Sequence, residues 1–148
     1  MSLREYVLLR NGVPLGAPGS LSNMLKRSLG ASSFAEFWRY WNPIFGYYLG
    51  NRVYRPLRET GLPRVLAVIG TFLVSGAVHD VAAAVITQGV VFTCTPFFFL
   101  LSLGVVAGNA FGMDSSKHSW SARATINGSY VLVCLAATLT LKSAGYLP

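Results

Sequence analysis

"VLAVIGTFLVSGAVHDVAAAVITQ" (Val65–Gln88) is a run of 24 residues in which only His79 and Asp80 are ionisable. A helix needs roughly 20 apolar residues to cross the hydrocarbon core of a bilayer. Helix is the spanning form to expect, because an open strand leaves backbone groups unsatisfied in lipid. Two further apolar stretches, about 90–111 and about 125–142, have similar length. The sequence therefore predicts an all-α integral membrane protein, with interfacial amphipathic helices followed by three transmembrane helices. The short connection around Thr87-Gln88-Gly89 makes the first two spans an antiparallel hairpin.

Composition points the same way. Of 148 residues, 53% are hydrophobic and 11% charged, against about 25% charged in soluble domains. Mean hydropathy is +0.50. The length suits one membrane domain over 1–148, divided into a basic, aromatic-rich region (1–64) and a three-span bundle. Cys94 and Cys134 both lie in apolar stretches and read as small packing residues.

The net charge of +7 is uneven, since nine of the twelve Lys and Arg precede residue 65, against three acids. A basic, aromatic-rich half beside a greasy one is the pattern of a membrane-surface platform. No stacking or groove-reading motif accompanies the charge, so nucleic acid is not an expected partner. By the positive-inside rule the N-terminal region and the 112–124 loop face the cytoplasm, and the C-terminus the opposite side. No signal peptide is apparent in "MSLREYVLLRNG", so the first span would direct insertion.

Within the first half, "LSNMLKRSL" (Leu21–Leu29) has amphipathic helical spacing. Ser33 and Glu36 form a capping-box pattern that starts another helix. Phe34, Phe37, Trp38, Trp41, Phe45 and Tyr48 follow at near-helical intervals, and Pro43 kinks or restarts the helix at Asn42. Rings flanked by Arg39, Arg52, Arg55 and Arg58 suit the headgroup level.

An ionisable residue inside a span is a functional-site candidate by default. His79 is the fifteenth residue of the first span, about 21 Å from its start at 1.5 Å per residue. A neutral imidazole can take a proton from a hydroxyl near neutral pH. A histidine merely hydrogen-bonded to a facing helix is the alternative. Asp80, about 100° round the helix, is expected to pair with an arginine or another chain. Haem ligation lacks a partner, because His118 is the only other histidine and lies in a loop. No metal or cofactor is expected. In the second span Gly104, Gly108 and Gly112 form a tandem GxxxG, a face that lets another helix approach. The sequon at Asn127 falls inside the third span and reads as a chance match.

"SFAEFWRYWNPIFGYYLGNRVYRPLR" followed by "TFLVSGAVHD" resembles the membrane-bound O-acyltransferase family, with its "SFxEFWxxW" segment, "YxPL" run and "SGxxH" helix. The resemblance covers about residues 28–85. It implies transfer of an acyl group from acyl-CoA, as substrate, to a hydroxyl. His79 matches the family's histidine, as general base. Asn42, 37 residues earlier, matches its polar catalytic position, orienting the acceptor or stabilising the acyl oxygen. Trp41, Arg39, Arg52, Arg55 and Arg58 would hold the donor's phosphate-bearing end or lipid headgroups. The family also has many more membrane segments, enclosing a tunnel. Two readings follow: an acyltransferase completed by other copies or partners, or a non-catalytic accessory subunit of a larger membrane complex. Either way the expected partners are membrane lipids and an oligomer or larger complex.

Overall fold

The computed structural model describes residues 1–147, and every regular element among them is helical. Five short helices precede three longer ones. α1 (Leu3–Asn11) opens on a capping box, in which Glu5 N–H donates to Ser2 Oγ and Ser2 N–H to the Glu5 carboxylate. Gly12, at φ 80°, closes it in the left-handed conformation. α2 (Ser20–Leu29) is the amphipathic helix read from the sequence. Ser33 caps α3 (Phe34–Tyr40) through Glu36 N–H at 3.2 Å. The Glu36 carboxylate does not complete the box; it accepts instead from Ser32 N–H and Ser32 Oγ–H.

Trp41 is extended and Asn42 left-handed (φ 39°, ψ 69°), so the helix breaks where Pro43 requires it to. Pro43 then occupies the first turn of α4 (Pro43–Leu49), where its missing N–H costs nothing. α4 runs through a π-helical turn (Gly50–Tyr54) into α5 (Arg55–Glu59). The wider turn lies just before Pro56, whose ring opposes a regular α register there.

α6 (Arg64–Thr87) and α8 (Trp120–Ser143) have 24 residues each and are the two helices, among those described, long and apolar enough to cross a membrane. Only 22% and 17% of their most apolar portions are buried within the chain. The core helices of a soluble domain would be mostly covered. At the second of the three expected spans, α7 is a 17-residue helix, Cys94–Ala110, about 25 Å long where the hydrocarbon core is about 30 Å. Its start is set by a cap described below, which leaves Val90–Thr93 outside the helix.

α6, α7 and α8 run alternately up and down. Gly76 on α6 has no Cβ because the backbone of Cys94 and Thr95 lies against it. Tyr130 on α8 packs on Gly104 and donates its hydroxyl to the Leu100 carbonyl at 3.0 Å. The short helices latch onto this bundle through polar contacts. The Asn127 amide, 2% exposed, donates to the carbonyls of Leu29 and Ala31, both at 3.0 Å. That commitment leaves no room for a glycan. Trp120 Nε1 donates to the Lys26 carbonyl, and Ser115 holds the Ser32 carbonyl through both N–H and Oγ–H.

Candidate active site

The break at Asn42 swings α4 across α6, and between them and α7 lies a cavity of about 350 Å³. His79 and Asn42 both line it, although 37 residues separate them in the chain. Phe72, Val68, Phe98, Val105 and Leu49 supply apolar wall; Arg39, Arg64 and Asn109 supply polar wall. Arg64 and His79 are fifteen residues apart on α6, so the cavity follows that helix for about 22 Å.

His79 Nδ1 is 2.7 Å from the Ser75 carbonyl one turn earlier. A carbonyl oxygen only accepts, so Nδ1 carries the hydrogen, and in the neutral ring Nε2 keeps its lone pair. The ring is stacked on Phe98 (centroids 5.1 Å apart, planes at 27°) and meets the edge of Phe45 at 5.5 Å. These two rings and the Ser75 bond fix its orientation. Its remaining side is open.

Asn42 is the N-cap of α4, with Oδ1 accepting from Phe45 N–H at 3.2 Å. This identifies the oxygen and leaves the Nδ2 amide as a donor beside the cavity. The same bond ties Asn42 to Phe45, the residue whose ring meets His79.

Among the described residues Asp80 is held by backbone N–H groups and not by an arginine. Its carboxylate, 5% exposed, accepts from the backbone N–H of Thr93 (2.9 Å), Cys94 (2.7 Å) and Thr95 (2.8 Å). It satisfies the orphan donors at the start of α7 and sits where the helix dipole favours an anion. Phe98 follows Cys94 by one turn, so the cap also holds Phe98 against His79. Only "TCTP" (Thr93–Pro96), a plausible helix start, marked this in the sequence.

The remaining expected residues separate. Arg39 and Trp41 line the cavity, and Trp41 also stacks on Phe37 at 5.5 Å. Arg52, Arg55 and Arg58 are exposed and lie outside it, and Arg58 donates to the Leu62 carbonyl. Arg64 lines the cavity but was missed in the sequence, where it reads as the flank of a span. Trp38, also in the wall, has a buried Nε1 with no hydrogen-bond partner among the described residues. Of the glycine face, Gly104 carries Tyr130 and Gly108 faces open space. Gly112 lies beyond the end of α7 at φ 59° and is no part of a helical face.

A family model described as "MBOAT, membrane-bound O-acyltransferase family" matches residues 20–137. The chain belongs to the membrane-bound O-acyltransferase family. It shares 34% identity over 55 residues with diacylglycerol O-acyltransferase 1 of Arabidopsis thaliana, covering 37% of this chain and 11% of that protein. Diacylglycerol O-acyltransferase 1-1 of Oryza sativa subsp. japonica is 33% identical over 55 residues, 37% of this chain and 10% of that one. The stretch matched is thus about a tenth of the length of either relative. No solved structure matches. The family is membrane-bound, and α6 and α8 are helices of the required kind.

Proposed function

We propose that this family member transfers an acyl group from acyl-CoA to a hydroxyl acceptor, with His79 as general base. The observation that supports this is the shared cavity: His79, held as the Nδ1–H tautomer, and the Asn42 amide border one space with apolar walls. The acceptor O–H gives its proton to Nε2 as its oxygen attacks the thioester carbonyl. Negative charge gathers on the carbonyl oxygen, where the Asn42 Nδ2–H donates. Collapse breaks the C–S bond, and the imidazolium returns the proton to the departing thiolate, giving ester and free thiol. Phe72, Val68 and Phe98 suit the acyl chain; Arg39 and Arg64, at polar wall, suit the donor's phosphates.

In this reading α7 completes a three-crossing arrangement as the shorter arm of its hairpin, α1–α5 lie at the cytoplasmic interface among lipid headgroups, and the C-terminus is on the opposite side. The open side of His79 is closed by further membrane helices.

His79→Gln in isolated membranes, followed by ester formation from labelled acyl-CoA, tests the base. General-base catalysis is worth about 10²–10⁴-fold, so the rate should fall by that factor with little change in the amount of protein. A variant as fast as the parent protein ends the proposal.

A further inference from the structure

A second cleft, of about 450 Å³, shares no lining residue with the His79 cavity. Lys26 and Arg27 at the end of α2, Arg123 in the first turn of α8, and Trp120 at the start of that helix border it. Glu36 is its one acid, and that carboxylate is already occupied. Ser32 N–H, Ser32 Oγ–H and Tyr40 O–H donate to it at 2.9, 2.7 and 2.9 Å. Although partial burial opposes ionisation, these bonds hold its carboxyl below the usual range. Arg27 lies over the Tyr40 ring at 4.9 Å and makes only a long 3.5 Å contact with the Leu9 carbonyl. Arg123 Nε is buried with no hydrogen-bond partner among the described residues. An Nε–H so placed lacks an acceptor, and buried donors in native proteins are rarely left that way.

The position of the cleft selects the acceptor. It opens where α8 enters its apolar length, and Trp120, 44% exposed, is an aromatic of the kind found at the headgroup level. Ile126, one turn into the helix from Arg123, is 50% exposed, so apolar surface continues from the cationic cleft toward the bilayer core. We infer that this cleft binds the phosphate of an anionic lipid headgroup, with Arg123 and Lys26 as its ligands and the lipid's chains along α8. Arginine matches phosphate oxygens in pairs, and lysine supplies a point charge.

The full chain, purified in neutral detergent, would be titrated with dioctanoyl phosphatidate and, separately, with inorganic phosphate, following its thermal unfolding midpoint. Phosphatidate should raise the midpoint and added salt should weaken the effect. Inorganic phosphate at the same concentration should leave it nearly unchanged. Lys26→Gln and Arg123→Gln should each weaken phosphatidate binding about tenfold or more, the value of a lost charge-assisted bond. Arg123→Lys, which keeps the charge and loses the paired donors, should recover only part of it. Lys26 is exposed, so Lys26→Gln tests the cleft even if Arg123→Gln folds poorly. A parent protein indifferent to phosphatidate, or a Lys26→Gln variant that responds like it, overturns the site. An equal response to inorganic phosphate overturns the lipid assignment.

Discussion

At the scale of one residue, Asn42 does two jobs that substitution can separate. Its backbone is left-handed at φ 39° and its Oδ1 caps α4, while its Nδ2 remains for the cavity. Asn42→Gly keeps the left-handed backbone at no steric cost and loses the cap, a few tenths of a kcal/mol for glycine. Asn42→Ala loses the cap and also strains the backbone, together about 2–3 kcal/mol. Both remove the amide donor, so both should slow acyl transfer about 10²–10³-fold, as loss of an oxyanion donor does. Unfolding in detergent beside ester formation in membranes checks this. If Asn42→Gly is both stable and fully active, the amide has no part in the chemistry. The break itself was legible, because Pro43 restrains the residue before it. That the cap oxygen would come from the same asparagine was not, since it depends on α4 forming from Pro43 onward.

Among elements, the sequence spacing of glycines did not reveal which of them another segment approaches. A Cβ on Gly76 would lie 2.6 Å from Thr95 Cα and 2.8 Å from the Cys94 carbonyl oxygen, so α6 and α7 would have to separate. Gly76→Ala should cost about 2–3 kcal/mol, as overpacking does, and should slow transfer by shifting Phe98 from His79. On Gly104 the obstacle is the ring of Tyr130, which can turn aside at the expense of its bond to Leu100. That substitution should cost about 1 kcal/mol. Gly108 meets nothing within 4 Å, so Gly108→Ala should be neutral or stabilise by up to about 1 kcal/mol through helix propensity. Thermal unfolding of the three variants, expected in the order Gly76, Gly104, Gly108 from most to least damaged, checks the ranking. A Gly108→Ala variant as damaged as Gly104→Ala would mark a partner helix on that face. The start of α7 was hidden for a related reason: Asp80 caps it from 13–15 residues away, and periodicity carries no record of such a contact.

For the whole molecule, the apolar spans and the pairing of "SFAEFWRYWN" with "SGAVH" carried the family in the sequence, because both are local patterns. The enclosure of the site was not local and could not be read. Here His79 is covered by Phe45 and Phe98, and its other side is open, while Val74, Val78, Val81 and Val85 continue the exposed apolar surface of α6. An imidazole that can deprotonate an acceptor hydroxyl can equally deprotonate water, so an open site should lose acyl groups to hydrolysis. Covered by further membrane helices, the same site should favour the acceptor. The ratio of ester to free acid formed from labelled acyl-CoA is therefore expected to be high in native membranes. It should fall steeply, with total consumption falling less, after the chain is dispersed alone in detergent. His79→Gln should remove both products, which separates this chemistry from contaminating thioesterase. A chain that keeps its ester-to-acid ratio when monomeric would show that these helices enclose the acyl thioester by themselves, and the proposed covering helices would have no role.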